Sequence, residues 1–313
     1  MPRMYLSPTD LGLTPVGIAL SGQIARLQAS GPGAVDQQLA KASVRVDSYC
    51  KKRIGSVGAT TLSAGVSAGG QQIAVASTLG FDDKEEQAVI LGTGATQETA
   101  AIIPGGVVVT SWVSPYPGTL TLASPLTFSH LLGESVQGCY QEVSRSGSSA
   151  NNEPYSEALL TQEAQIAQAH APVLAQGKNL TRKVFVKQYP IQSILTIEHA
   201  YPFAPESYAP LNPKSIGVNP MAGIYTFTLG TVVIPEGLIR TTYLAGYQTV
   251  PEDIKDATAY YFADLLQVLF NLPGVLELQQ GKRRQKFSDG KSRTLWAQKA
   301  AEILDDGHYV RKV

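Results

Sequence analysis

The feature that most constrains the fold is a change of residue pattern near Ser56. From there to about residue 150, short runs rich in Val, Ile, Leu and Thr alternate with Gly-rich turns, which is typical of antiparallel strands. The polar segment Ser144–Asn152 is expected to be the turn or linker that closes this stretch. We therefore predict a small all-β module over residues 56–150. Its expected strands are Gln72–Ala76, Gln87–Leu91, Glu98–Ile103, Val107–Val113 and Thr119–Leu122.

The residues before this module, 1–55, have the pattern of helices. Thr14-Pro15 combines a capping hydroxyl with proline at the first helical position, and the helix that it begins is expected to end at Ser30–Gly33. A second helix is predicted to end near Cys50, followed by three basic residues beside its negative end and by Gly55 as its terminator. Cys50 falls on the apolar face and is predicted to be a buried free thiol. That face is formed by Val35, Leu39, Ala42, Val46 and Tyr49-Cys50.

Residues 151–280 are expected to complete the core with a helix, an antiparallel sheet and a second helix. The first helix is predicted at Glu157–Leu174. Two strands, Lys183–Gln188 and Ile191–Glu198, flank Tyr189-Pro190 and are expected to pair with each other. The proline-rich stretch Tyr201–Pro220 is interpreted as a long loop.

The end of this region is expected to contain a meander and a strong helix. Pro251 begins the helix, with two acids in its first turn, and Leu272-Pro273-Gly274 is expected to stop it. A basic C-terminal arm, residues 281–313, follows and is predicted to form one short helix at Thr294–Leu304. The strands of the meander are expected at Gly223–Leu229, Thr231–Ile234 and Leu238–Leu244.

The chain is poor in charge, and its charge is unevenly distributed. Charged residues make up 16% of the sequence, against about 25% in an average soluble domain. The surface must therefore be covered either by uncharged polar residues or by partner subunits. Residues 56–150 contain seven acids and two bases, a net of −5, whereas residues 281–313 contain nine bases and four acids, a net of +5.

Several classes of protein are not expected from the motifs. The first ten residues lack the pattern of a signal peptide, and no apolar run is long enough to span a membrane. Cys50 and Cys139 form neither a disulfide framework nor a metal-ligand spacing, which fits a reducing cytoplasm. Gln97 replaces the third glycine of a dinucleotide fingerprint, and Gln285 replaces the first glycine of a P-loop. We expect no cofactor and no metal.

One segment matches the nucleophile-elbow pattern of serine hydrolases. Gly65-Val-Ser67-Ala-Gly69 has the required spacing, but the motif needs a helix after the serine and here a β-type run follows. No acid–histidine pair is expected to support Ser67. We predict a hairpin here and a protein that is not an enzyme, with the hydrolase kept as a testable alternative.

The basic arm offers a candidate binding surface. Clustered cations can hold phosphates or an acidic protein surface, and they can equally form a solvated tail. Both interpretations remain open from the sequence, and an affinity for DNA that falls steeply with salt would support the first. The candidate partner-binding residues are Lys282, Arg283, Arg284, Lys286, Lys291 and Arg293.

Two stretches resemble known proteins. The segment Leu238–Ala257, LIRTTYLAGYQTVPEDIKDA, joins a strand to a helix in a manner that resembles the head–tail connector (adaptor, or neck) proteins of tailed bacteriophages. The resemblance covers roughly residues 15–55 and 155–313. Residues Thr60–Val136, with the phrases QQIAVASTLGF and VILGTGATQETAAI, resemble a small β module of phage structural proteins and would be an insertion in the adaptor core.

The resemblance implies a fold and a function. The fold would be α+β, a helical and antiparallel-sheet adaptor core with an inserted all-β domain and an extended C-terminal arm. The protein would be made in the host cytoplasm and would form a twelve-subunit ring at the head–tail junction of the virion. Its partners would be copies of itself, the portal protein, tail or tail-completion proteins and the packaged DNA in the lumen. Alternatives are another virion component, such as a tail or decoration protein, or a nucleic-acid-binding protein that uses the basic arm.

Overall fold

A computed structural model describes residues 4–82, 87–145, 180–200, 208–213, 215–229, 238–270, 277–280, 283–286, 295–307 and 309. In these residues the chain is a mixture of helices and antiparallel sheet, with one sheet curled into a half-barrel. The expected mixed class is therefore confirmed. The helix expected at Glu157–Leu174, the strand expected at Thr231–Ile234 and the stop at Leu272–Gly274 lie outside the described residues.

Four helices precede the first strand. They are α1 (Pro8–Leu13), α2 (Pro15–Ala19), α3 (Ser21–Ala29) and α4 (Ala34–Cys50). The Thr14 hydroxyl caps α2 as predicted, because its Oγ1 accepts a hydrogen bond of 3.0 Å from the amide of Gly17. The single helix expected here is divided at Leu20, whose backbone angles (φ −105°, ψ 15°) are not helical. Helix α1 was not predicted, because six residues are too few for an apolar period to show.

The end of α4 differs from the prediction. Lys51 adopts the left-handed conformation (φ 54°) and ends the helix directly after Cys50. Gly55 is therefore not the terminator. It instead forms an isolated parallel bridge with Tyr247, where the chain enters the sheet.

The strands form three sheets. Among the described strands, the largest sheet has the order β2-β5-β4-β3-β6-β12-β8-β9, with β1 also paired to β6. A second sheet has the order β10-β11-β7, and β13 pairs with β14. The strands are β1 (Ala59–Thr61), β2 (Gln72–Val75), β3 (Gln87–Leu91), β4 (Glu98–Val109), β5 (Gly118–Leu122), β6 (Ser135–Arg145), β7 (Leu180–Phe185), β8 (Ile191–Ala200), β9 (Tyr208–Pro210), β10 (Ser215–Asn219), β11 (Ile224–Leu229), β12 (Leu238–Ala245), β13 (Glu277–Gln280) and β14 (Arg283–Lys286).

Strand β6 joins residues 56–150 to the rest of the protein. Its first half pairs with β3, from Val136 to Tyr140, and its second half pairs with β12, from Tyr140 to Arg145. The prediction that a linker starts at Ser144 is wrong, because Ser144 still lies in β6 and pairs with Ile239. A strand ladder is made of backbone hydrogen bonds, so polar side chains at its end do not interrupt it.

Three expected connections after residue 180 are wrong. Strands β7 and β8 do not pair with each other, because β7 pairs with β11 whereas β8 pairs with β12 and β9. Strands β11 and β12 lie in different sheets and so do not form a meander. The long loop expected at Tyr201–Pro220 contains β9 and β10. Strand β7 pairs with β11, and β8 with β12, across long sequence separations, and local patterns carry no information about such partners. Strands β9 and β10 instead pair with their sequence neighbours β8 and β11, and they were missed because the prolines of this stretch favour a loop.

Three groups of buried side chains hold the fold together. The helical layer, α1–α4 with α5 (Glu252–Leu269) and α6 (Leu295–Asp306), has a core that includes Leu39, Phe262 and Leu304. A second core lies between the second sheet and strands β6, β8 and β12; it includes Tyr140, Tyr225 and Tyr243. The third core fills the β module and includes Ile73, Phe81, Val89 and Leu120.

Helix α5 begins where predicted and ends at Leu269, and it is joined to β12 by a tight crossing. At this crossing the backbone of Gly246 lies directly against the backbone of Gly55, so close that a Cβ atom on Gly246 would be 2.2 Å from the Gly55 carbonyl oxygen. The amide of Tyr247 donates to the carbonyl of Ile54 at 2.7 Å, and the amide of Ser56 donates to the carbonyl of Tyr247 at 3.2 Å. The segment that carries the phage-adaptor resemblance therefore contains one of the contacts between the two layers.

Candidate functional site

The structure describes half of the candidate basic residues of the arm. Arg283, Arg284 and Lys286 lie in β14, whereas Lys282, Lys291 and Arg293 lie outside the described residues. Of the strands that the structure describes, β13 and β14 pair only with each other. The sequence did not predict this hairpin.

The helix expected near the end of the arm is confirmed as α6, and it packs against the body of the protein. The rings of Trp296 and Tyr260 are 5.8 Å apart, and the hydroxyl of Tyr49 donates to Asp305 at 2.9 Å. The last helix of the arm is therefore part of the helical layer.

The four acids of the β module that the structure describes are all paired or hydrogen-bonded within the protein. The carboxylate of Asp82 lies 2.7 Å from the guanidinium of Arg53. Glu142 accepts hydrogen bonds from the hydroxyl of Tyr243 and, at 2.9 Å, from the amide of Lys187. Glu98 and Glu134 both bond to His130. These four acids therefore do not form an open acidic surface, although residues 56–150 carry a net charge of −5.

Ser67 lies in a turn that leads to a strand, as predicted. Residues 68 and 69 form the turn, and β2 follows it, so the helix that a nucleophile elbow requires is absent after Ser67. A histidine paired with two acids, which the sequence did not indicate, lies beside this turn. His130 pairs with Val66 through backbone bonds of 2.9 Å in both directions, and its ring bonds to two glutamates.

His130 is held between two carboxylates. Its Nδ1 lies 2.7 Å from Glu134 Oε2 and its Nε2 lies 2.8 Å from Glu98 Oε1. Each carboxylate also accepts backbone amide bonds, Glu98 from Thr127 at 2.7 Å and from Phe128 at 3.0 Å, and Glu134 from Leu131 at 3.0 Å. Both glutamates are therefore acceptors, and the ring must donate from both nitrogens, which only the imidazolium form can do.

The pKa shifts agree with this assignment. Burial alone would lower the pKa of His130, but its hydrogen bonds with Glu98 and Glu134 outweigh burial and raise it. Burial would likewise raise the pKa of Glu98, and the donors from Thr127, His130 and Phe128 together lower it. The amide of Leu131, followed by His130, lowers the pKa of Glu134. Because neither ring nitrogen is left to accept a proton, His130 is not arranged as a general base for Ser67.

This cluster fixes a loop that exposes apolar side chains. We call residues 126–134 the clamped loop. Glu98 and Glu134 accept three hydrogen bonds from its backbone amides and form two more with the ring of His130. Leu131 and Leu132 are 72% and 68% exposed at its tip. Exposed apolar patches can mark a surface that contacts another protein, so this tip is a candidate contact surface. The sequence did not indicate this cluster, because Glu98 is far from His130 along the chain.

The clamp predicts a pH dependence of stability. A histidine whose pKa is raised in the folded state contributes stability below its ordinary pKa of about 6.5, and that contribution is lost as the pH rises through the folded-state pKa. Between those two pKa values the free energy of unfolding should fall by up to about 1.4 kcal/mol per pH unit relative to a His130→Gln variant. The measurement is urea unfolding of both proteins across this range, with the His130 pKa followed by NMR. A pKa at or below the ordinary value would contradict the imidazolium assignment.

Both cysteines are buried free thiols, as predicted for Cys50. Burial, with a smaller contribution from Asp47, raises the pKa of Cys50 to about 12, and burial raises that of Cys139 to about 12. Thiols with such pKa values are not nucleophiles near neutral pH.

No protein-family model matches this sequence, and no curated protein is significantly similar to it. Within the described ranges, no helix has the length and apolar character needed to cross a membrane. In the same part of the chain, no group of three or more His, Cys, Asp and Glu side chains is arranged to hold a metal ion.

Proposed function

We propose that the protein is a virion structural protein, the head–tail adaptor that forms a ring between portal and tail around the DNA channel. The observation that carries the proposal is the junction from β12 through Gly246 into α5. This junction consists of the residues that carry the resemblance to phage adaptors, and it is also one of the places where the helical layer contacts the sheet. The return of α6 to α5 fits the arm-and-last-helix plan of the same family.

The proposed mechanism is assembly without chemistry. Copies that meet head to tail close into a ring when the rotation between neighbours divides the circle, as a neck around DNA requires. The arm would contact the portal or a tail-completion protein, and hydrogen bonding of the open β13–β14 edges would add to that contact. Three of the basic residues proposed for binding lie on β14. A two-stranded hairpin is marginal alone in water, so it should be most stable when a partner covers it.

The β module has a place in this proposal as a second contact surface. It shares β6 with the core and touches α4, where the hydroxyl of Tyr116 donates to Asp36 at 2.7 Å. Such contacts would orient the module relative to the rest of the subunit. The clamped loop would then present Leu131 and Leu132 to a neighbour at a defined position.

The test is gold-labelled antibody imaging of particles purified from the source of this gene. The expected result is label confined to the junction of head and tail. Label on the capsid surface or along the tail would support a different virion component, and no label on any particle would refute the virion proposal. An antibody raised against the tagged recombinant protein, preadsorbed with that protein, is the matched control for specificity.

A further inference from the structure

Among the strands that the structure describes, β10 is an exposed edge of the second sheet. Its five residues, Ser215–Asn219, are all exposed, whereas the neighbouring strand β11 contains Tyr225 and Phe227, among the most deeply buried side chains of the protein. A sheet strand packed on a core normally buries one of its faces. Strand β10 buries neither, so it extends beyond the core that covers β11.

The apolar face of the sheet continues onto this edge. Val218 pairs with Tyr225, which pairs with Val184, and paired residues of neighbouring strands share a face. Along this row the exposed fraction changes from 3% at Val184 and 0% at Tyr225 to 42% at Val218. Ile216, which pairs with the buried Phe227, is 43% exposed. Two β-branched side chains on the core-facing side are therefore uncovered.

The five residues of β10 carry none of the charges that usually prevent strand pairing. Soluble proteins protect edge strands with lysine, proline or inward-pointing charge. In the sequence such residues only flank β10, with Pro213 and Lys214 before it and Pro220 after it. Those prolines limit the unprotected edge to a short, defined length, which favours one specific contact over open-ended aggregation.

We propose that β10 pairs antiparallel with β10 of a second copy of this chain, about a two-fold axis at Gly217. In that register Ile216 lies opposite Val218 of the partner subunit, and Val218 lies opposite the partner's Ile216. The strand is therefore complementary to itself, and both uncovered side chains meet β-branched partners on the core-facing side. A strand of another protein would need the same apolar pattern, whereas a second copy always provides it.

This contact goes beyond the proposed ring. A two-fold contact closes after two copies, whereas a ring needs a head-to-tail contact. A five-residue edge buries less than the roughly 800 Å² per partner of a standard interface, so the pair should be weak in solution. We expect it to join subunits before ring assembly or to join two rings.

The register gives a direct test by disulfide cross-linking. Ile216→Cys and Val218→Cys proteins, mixed and oxidised, should form a covalent dimer, because the two positions face each other across the axis. Ile216→Cys alone should cross-link at least about tenfold more slowly, because its two copies would lie diagonally, beyond the reach of a disulfide. The native thiols are buried with pKa values of about 12 and provide a silent background. Leu13→Cys, in α1 and 78% exposed, is the control for random collision at an exposed site.

Sedimentation equilibrium measures the same contact without cysteines. Val218→Lys should raise the dimer dissociation constant by roughly tenfold or more, since each lysine disrupts the apolar pairing. Val143→Lys, at another exposed strand position, should leave it unchanged. Equal cross-linking of Ile216→Cys alone and of the mixture would overturn the register, and a monomer at every concentration without cross-links would overturn the contact. Both experiments use purified protein, so their outcome is independent of whether antibody labels the virion.

Discussion

Replacing Gly246 with alanine is expected to lower the free energy of unfolding by about 3–5 kcal/mol. Gly246 has φ +99°, a conformation that L side chains rarely adopt. A Cβ atom there would lie 2.2 Å from the carbonyl oxygen of Gly55 and 2.8 Å from the amide nitrogen of Ser56. Both of these are backbone atoms, so no side chain can rotate away. Relief requires the sheet and the helical layer to separate at the crossing.

Such a separation would break several hydrogen bonds at once. The amide of Gly246 donates to the carbonyl of Pro190 at 2.9 Å, and its own carbonyl accepts from Gln192 Nε2 at 2.7 Å. The bonds from Tyr247 to Ile54 and from Ser56 to Tyr247 lie beside them. The expected result is a large fall in the urea midpoint and in the soluble yield.

Gly69→Ala is the matched control. Gly69 also has a positive φ, +85°, but a Cβ atom there would meet nothing within 4 Å. Its cost should be limited to the conformational penalty, about 1 kcal/mol. If the two variants lose equal stability, the steric explanation for Gly246 is wrong and the crossing is not tightly packed.

The parts of the fold that the sequence predicted are those with a strong local pattern. The apolar period of α4, the Thr14 cap of α2 and the acidic first turn of α5 each depend on neighbouring residues, and all three were found. The strands predicted at Gln72–Ala76 and Gln87–Leu91 were found for the same reason. The pairing of β7 with β11, and of β6 with β12, depends on residues far apart in sequence and was not predicted.

The candidate sites follow the same division. The buried state of Cys50 was predicted, because one helical face determines it. The clamp around His130 was missed, because Glu98 lies in β4 whereas His130 and Glu134 lie in the clamped loop. Only the folded chain brings Glu98 to the ring of His130. The spacing of His130 and Glu134 was the one local signal, and it has no meaning without Glu98. For the arm, the basic residues were visible in the sequence, but the hairpin that contains three of them was not.

Replacing Asp82 with asparagine is expected to cost about 3 kcal/mol or more of unfolding free energy, because it leaves a buried cation without its counter-charge. The side chains of Arg53 and Asp82 are 5% and 8% exposed, and they are 2.7 Å apart. Neither Nη1 nor Nη2 of Arg53 has a hydrogen-bond partner, so its contact with Asp82 is an ion pair without a hydrogen bond, and the guanidinium carbon lies 5.6 Å from the ring centre of Tyr140. Asp82 is therefore the main compensation for the Arg53 charge at the joint between α4 and the β module.

The control for this prediction is the double variant Arg53→Met/Asp82→Asn. It removes both charges, so it should be more stable than Asp82→Asn alone, since replacing a buried ion pair by neutral groups is often nearly neutral. Asp36→Asn is a second control at the same joint, where loss of the charged acceptor for Tyr116 should cost only about 1–2 kcal/mol. Urea unfolding of the four proteins measures all of these differences. If the double variant is no more stable than Asp82→Asn, the lone charge is not the cause. The joint would then depend on the shape of the Arg53 side chain against Tyr140, and Arg53→Met alone should be the most damaging change there.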